Sequence, residues 1–213
     1  MNTEQLIREL SRDVPRVSRH ALARRIVIGL VAGGLATLLL VALLLGLRPD
    51  LQVAMQGFPF WMKWTYTASL GVAAAYGVAR LSRPEPASLR GLWWLALPVL
   101  ALAGIGAVDI ANAPPDAVMS MWLGATWRAC PLLVLLLAVP LFVGMLWAFR
   151  RLAPTRLRAA GAVAGLAAGA WAATLYCLHC PEVSALFVLT WYSLGIALAA
   201  GIGALLGPRL LRW

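Results

Sequence analysis

The stretch from Ile26 to Leu47 reads IVIGLVAGGLATLLLVALLLGL and contains no charged side chain over 22 consecutive positions. A helix rises about 1.5 Å per residue, so about 20 apolar residues suffice to cross a hydrocarbon core of about 30 Å. This run therefore predicts a transmembrane helix. It is too long for the apolar part of a cleavable signal peptide and follows a polar, Arg-rich segment, so we expect it to remain in the mature chain.

Composition extends this prediction to the whole chain. Of its 213 residues, 62% are apolar and only 12% are charged, and the mean hydropathy is +0.83. Soluble domains carry about 25% charged residues, so an ordinary soluble domain is excluded. Five further apolar runs of similar length follow the first, at residues 60–79, 92–110, 130–149, 159–176 and 183–206.

We therefore expect an all-α integral membrane protein, with a bundle of six transmembrane helices at residues 26–213 and a separate segment at residues 1–25. Glycines recur at close spacing within the runs, for example Gly161, Gly165 and Gly169 in the fifth. Small residues let helix backbones approach each other in a bilayer, so the six helices should form one compact bundle.

Lysine and arginine are distributed unevenly between the two ends of these runs. Fifteen of the 18 lie in residues 1–25, in the second and fourth connections between runs, and at the C-terminus. Only Arg48, Lys63 and Arg128 fall on the other side. The positive-inside rule then places both termini in the cytoplasm. This topology also accounts for the net charge of +10. We therefore expect the chain to contact a lipid bilayer and not to bind nucleic acid directly.

Residues 1–25 predict a cytosolic segment with a short amphipathic helix. Leu6, Ile7 and Leu10 fall on one side at helical spacing, and Pro15 should end the helix. Two interpretations remain open. The apolar edge docks into a groove of a partner protein, or the helix lies on the inner leaflet with its arginines near anionic headgroups.

One short stretch, Leu175-Tyr176-Cys177-Leu178-His179-Cys180-Pro181-Glu182, brings thiol, imidazole and carboxylate groups together. The remaining cysteine, Cys130, begins the fourth run, and the topology places it at the same membrane face, outside the cytoplasm. Proline follows both Cys130 and Cys180 and favours the first position of a helix. We therefore expect both thiols at helix N-termini, where the helix dipole lowers a thiol pKa.

Three chemistries fit this cluster. Cys130 and Cys180 could form a disulfide if their helix starts are adjacent. Cys130, Cys177 or Cys180 with His179 would suit a soft metal ion such as Cu, Zn or Cd, with Glu182 as a further ligand or a partner of His179. Cys177 and Cys180 also have the C-x-x-C spacing of thiol-exchange catalysts, but no thioredoxin-like pattern surrounds them. We expect no enzyme and no constitutive cofactor.

Charged residues inside the spans would indicate a transport path. Lys63 lies near the outer edge of the second run, where its side chain can extend to the interface, and Asp109 ends the third run. A midplane ion site is therefore missing from the sequence. A small soft-metal transporter and a membrane thiol–disulfide oxidoreductase remain as alternatives to a sensor protein.

The chain resembles the NrsF-type negative regulators of extracytoplasmic-function sigma factor F, six-span anti-sigma factors of the proteobacterial inner membrane. The resemblance rests on Cys130, on the string from Leu175 to Glu182, and on the N-terminal pattern Leu6-Ile7-x-x-Leu10-x-x-Asp13-x-Pro15-x-Val17. It implies that the N-terminal pattern binds the sigma factor. It also implies that Cys130 and Cys180 sense heavy metals or oxidants from the periplasm, with Cys177 as an additional thiol.

Overall fold

The computed structural model describes residues 2–12, 21–81, 93–149 and 154–212, and within these ranges the chain forms helices and no strand. The helices, in chain order, are α1 (Thr3–Arg12), α2 (Ala21–Leu45), α3 (Leu51–Ala54), α4 (Phe58–Leu81), α5 (Trp93–Asn112), α6 (Ala117–Leu123), α7 (Cys130–Phe149), α8 (Leu157–Tyr176) and α9 (Ala185–Leu210). Both α2 and α9 include one wider π-helical turn, at Val41–Leu45 and Val188–Tyr192.

Five of the six predicted apolar runs are helices long and apolar enough to cross a membrane, namely α2, α5, α7, α8 and α9. The second run forms α4, whose 24 residues also exceed the length that a crossing needs. Its composition is less apolar because it includes polar residues such as Lys63, Tyr66 and Thr67, all of which are buried. Neighbouring helices, rather than lipid, therefore surround the polar face of α4.

The centre of the bundle is α8, which packs against α4, α7 and α9. Its apolar window is 72% buried, compared with 11% for α5 at the periphery. Glycines of α8 allow the neighbouring helix α9 to pack this closely: Gly161 lies against Gly203 of α9, and Gly165 lies against Ala199. A Cβ on either glycine of α8 would overlap the facing backbone. The predicted role of glycine in the fifth run is thus confirmed.

A second close contact joins α2 to α7. Gly29 of α2 and Gly144 of α7 face each other so closely that neither position has room for a Cβ. Further along the same pair of helices, the Thr37 hydroxyl donates a hydrogen bond of 3.0 Å to the carbonyl of Leu137. The first and fourth apolar runs therefore form a single packed unit.

The two ends of the bundle have different contents. At one end Ile26, Leu81, Phe149 and Leu211 share a core cluster, so the beginning of α2 and the end of α9 lie together. At the opposite end, the connections that follow α2, α5 and α8 meet: Arg48 N–H donates to Leu178, and Ala125 N–H donates to Glu182. We call this second end the thiol end, because the residues between α8 and α9 contain two cysteines.

Candidate functional site

The connection between α8 and α9, residues 177–184, forms the centre of the site, and we call it the thiol loop. It begins as a last turn of α8, since Cys180 N–H donates to the Tyr176 carbonyl. It then runs in non-helical backbone until Ser184, whose hydroxyl caps α9. The expectation that Cys180 caps the sixth helix is therefore wrong. The residue before a proline is biased towards extended backbone, and here the Cys180 and Glu182 carbonyls bind side chains instead of helical N–H groups.

All three cysteines are free thiols with no measurable exposure. Cys130, the first residue of α7, lies in the same buried cluster as Cys180, close enough for its thiol to affect the pKa of the Cys180 thiol. The Tyr192 hydroxyl also lies near the Cys180 sulfur and has no hydrogen-bond partner among the described residues. The fold therefore brings together two cysteines that are 50 positions apart in sequence.

The two thiols of the thiol loop differ in electrostatic environment. The hydrogen bond from Cys130, with the nearby ammonium of Lys63, holds the pKa of the Cys180 thiol below its ordinary value despite burial. Burial raises the pKa of the Cys177 thiol to about 11, and this thiol donates to the Ala173 carbonyl in its own helix. Cys180 is therefore the more acidic thiol, for a reason other than the predicted helix dipole.

Lys63 occupies a position that the sequence did not predict. It does not extend to the interface, because it has no exposed surface, and its Nζ donates to the carbonyls of Cys180 (3.1 Å) and Glu182 (2.5 Å). The backbone of the thiol loop turns these carbonyls towards α4, so the ammonium finds its partners inside the bundle. The expectation of a snorkelling Lys63 is therefore wrong.

Two further hydrogen bonds join the thiol loop to the connection between α2 and α3. The His179 ring nitrogen Nδ1 makes a hydrogen bond of 2.9 Å with the Gly46 carbonyl. The Arg48 guanidinium donates to the Cys180 carbonyl at 3.4 Å while it pairs with Asp50 at 2.7 Å. His179 is thus committed to the backbone between α2 and α3.

The Glu182 carboxylate binds the turn that precedes α7. Its Oε1 accepts hydrogen bonds from the N–H groups of Ala125 and Thr126 and from the Thr126 hydroxyl, at 2.8–3.0 Å. Gly124 makes this approach feasible, with a φ of +56° and no room for a Cβ beside the carboxylate and Phe187. Glu182 therefore closes the 124–129 turn over the Cys130 end of the thiol pair.

A metal site built from the predicted ligands receives no support from these positions. Within the described ranges, no group of three or more histidine, cysteine, aspartate or glutamate side chains could hold a metal ion. His179 and Glu182 instead bind backbone groups. The two sulfur atoms of Cys130 and Cys180 are the pair of soft ligands that the fold brings together.

The N-terminal residues are placed only in part. Leu6 and Ile7 lie on α1 and are exposed, and Leu10 belongs to the same helix. Asp13, Pro15 and Val17 lie outside the described residues.

Comparison with known proteins gives the family. The model of a family described as "Negative regulator of sigma F" (NrsF) matches residues 10–213. The chain belongs to the NrsF family. It is 40% identical over 213 residues to the "Probable anti-sigma-F factor NrsF" of Azospira oryzae and 41% identical over 215 aligned residues to the "Anti-sigma-F factor NrsF" of Caulobacter vibrioides, in both cases over the full length of both chains. No solved structure matches.

The resemblance drawn from the sequence is thereby confirmed, whereas some contacts of this NrsF-family site were missed. A single lysine inside an apolar run is a signal for a functional position, since ionisable residues in such runs seldom lie there without a partner. Lys63 met that description. The approach of Tyr192 to Cys180 had no comparable signal, because it depends on how α9 packs against the thiol loop.

We expect Glu182→Gln to increase the access of reagents to the thiol pair. The loss of charge weakens hydrogen bonds to the 124–129 turn, each worth about 1.5–3 kcal/mol when an ionised acceptor is involved. The rate at which N-ethylmaleimide labels Cys130 and Cys180 in the native protein measures this, by mass spectrometry. Asp116→Asn, which removes an exposed carboxylate without a capping hydrogen bond, is the control. Equal labelling rates for the two variants would contradict a closing role for Glu182.

Proposed function

We propose that this chain is a multi-pass anti-sigma factor of the bacterial inner membrane. It holds an extracytoplasmic-function sigma factor through its N-terminal segment and releases it when Cys130 and Cys180, facing the periplasm, bind a heavy metal or are oxidised. Membership of the NrsF family supports the sigma-factor partner. The observation that carries the input site is the placement of the buried Cys130 and Cys180 thiols together in one core cluster.

Six crossings with both termini in the cytoplasm agree with the geometry of the bundle. Ile26, near the first crossing, and Leu211, after the last, lie at the end opposite the thiol end. In the sequence, the arginine-rich N-terminal segment directly precedes Ile26, and Arg209 and Arg212 lie on either side of Leu211. In this proposal α4 is the sixth crossing, with its polar residues sheltered by its neighbours. The thiol end then faces the oxidising compartment, in which thiol chemistry is a usable signal.

The N-terminal segment is the proposed sigma-binding element. Leu6 and Ile7 are exposed on α1, close to the acidic residues Glu4 and Glu9. An apolar edge flanked by charge is typical of a helix that docks into a groove of a partner. The family relationship favours this interpretation over a helix that lies on the lipid surface.

A set of contacts connects the thiol pair to α2. Cys130 begins α7, and α7 packs along α2 through the Gly29–Gly144 contact and the Thr37–Leu137 hydrogen bond. The N-terminal segment directly precedes α2 in the sequence. A change in the position of α7 that follows modification of Cys130 would therefore move α2, and with it the base of the sigma-binding segment.

The chemical energy available at the pair is sufficient for such a switch. Moving a two-state equilibrium from 1:99 to 99:1 requires about 5.5 kcal/mol of differential binding. Structural zinc–thiolate sites supply about 10–16 kcal/mol. A soft-metal site of that strength would meet the requirement, and both metal binding and disulfide formation would change the positions of the Cys130 and Cys180 sulfurs.

We expect a Cys130→Ser, Cys180→Ser double variant to abolish induction of a sigma-dependent reporter by soft-metal salts and by diamide, because both sulfur ligands are gone. Cys177→Ser should keep most of the response, since this thiol is bonded within its own helix. Reporter activity and membrane abundance are measured in the same cells. Full induction in the double variant would contradict the proposed input site.

Deletion of residues 2–18 should leave membrane insertion unchanged and abolish co-purification with the sigma factor. A finer comparison uses Leu6→Asp and Gln5→Asp, which add the same charge at neighbouring positions of α1. Only the first removes an apolar contact, so we expect only the first to weaken co-purification. If both point variants and the deletion retain the sigma factor, the binding site lies elsewhere in the chain.

A further inference from the structure

Lys63 is a buried cation without a carboxylate partner. Its side chain has no exposed surface, and the part of the chain that the structure describes places no aspartate or glutamate within ion-pair distance of its ammonium. Glu182 offers Lys63 its backbone carbonyl and directs its carboxylate to the 124–129 turn. Two carbonyl oxygens therefore bind the ammonium without neutralising it.

A buried charge requires a counter-charge or a large desolvation cost remains. The ammonium acts electrostatically on the Asp50 carboxylate, which is exposed and paired with Arg48, and on the thiols of Cys180 and Cys177. Of these three groups, only the two thiols are buried. Cys180 is the better partner, because the ammonium is bonded to its own backbone carbonyl at 3.1 Å. The Cys177 thiol instead donates to the Ala173 carbonyl.

We propose that Lys63 is the positioning residue of the thiol pair: its ammonium fixes the Cys180 sulfur against Cys130 and supplies the counter-charge that favours the reduced pair over the disulfide. This inference rests on the proposed function of the pair as the input site. It adds a reason why two adjacent thiols remain available for a signal in an oxidising compartment.

The redox consequence follows from the charge balance. Oxidised glutathione converts the Cys180 thiolate and the Cys130 thiol into a disulfide as the sulfur–sulfur bond moves from glutathione to the protein. Two molecules of reduced glutathione form and take up the proton of Cys130 and one proton from the solvent. The disulfide bears no negative charge, so the ammonium of Lys63 loses its counter-charge in the oxidised state. A charge that stabilises the reduced form makes the corresponding disulfide easier to reduce.

The test measures the thiol–disulfide equilibrium of the full chain in nanodiscs, in glutathione buffers, with alkylation and mass spectrometry as the readout. All proteins carry Cys177→Ala, so that only the Cys130–Cys180 disulfide forms. We expect Lys63→Met to make the disulfide about tenfold harder to reduce, a shift of about 30 mV for a two-electron couple. Lys63→Arg, which keeps the charge, should remain close to the parent protein.

Two variants separate charge from mere support of the loop. Lys63→Gln keeps an amide donor for the carbonyls of the thiol loop and removes the charge, so it should shift the equilibrium in the same direction as Lys63→Met. Arg128→Gln removes an exposed cation two residues before Cys130, one that lies over the Trp127 ring, and should have little effect. If Lys63 only supported the loop, its loss would separate the sulfurs and make the disulfide easier to reduce. That opposite sign, or no shift in either neutral variant, would overturn the proposal.

The parent protein gives a measurement that needs no variant at Lys63. Millimolar reduced glutathione should reduce its Cys130–Cys180 disulfide completely, and a disulfide that persists would overturn the proposal. These outcomes differ from failure of the proposed function. If the equilibrium shifts as expected while the Cys130→Ser, Cys180→Ser variant still responds to metal and oxidant, Lys63 positions the pair but the pair is not the input.

Discussion

The hydrogen bonds from the Lys63 ammonium to the carbonyls of Cys180 and Glu182 hold together the rest of the thiol end. A buried backbone carbonyl outside a helix needs another hydrogen-bond donor, because each unsatisfied group costs several kcal/mol. The backbone of the thiol loop is not helical between α8 and α9, so side chains must donate the hydrogen bonds that its carbonyls would otherwise lack. Lys63 does so from the buried face of α4, while Arg48 and the Glu182 carboxylate secure the loop from either side.

This arrangement explains how two thiols are held together in a chain with so few polar residues. The turn that precedes α7 is held by Glu182, and the loop that carries Cys180 is held by Lys63 of α4 and by Arg48. Cys130 and Cys180 are thus held by separate sets of contacts at one end of the bundle. In the function proposed above, a change in the bonding of either sulfur reaches α7 through Cys130 and α4 through Lys63, because a closely packed interior transmits strain.

The fold was largely predictable from the sequence, and the site only in part. Apolar runs fixed the positions of the helices to within a few residues, and the fourth run was placed at the observed bounds, because length and hydrophobicity are local properties. The contact of Cys130 with Cys180 followed from topology. The environment of the pair was not predictable in this way. Pro181 suggested that a helix starts there, but Ser184 provides the cap. Lys63 points into the bundle because it binds the carbonyls of Cys180 and Glu182, which are 117 and 119 positions away in sequence. Such partners depend on tertiary packing, which periodicity does not specify.

The most direct measurement follows the state of the thiol pair and the binding of the sigma factor in the same sample. The full chain with bound sigma factor, reconstituted in nanodiscs, is treated with increasing amounts of a soft metal salt or diamide, and mass spectrometry quantifies modified Cys130 and Cys180 while pull-down quantifies the bound sigma factor. We predict that the released fraction rises in parallel with the modified fraction. Sigma factor that stays bound when both cysteines are fully modified would contradict control of release by this pair.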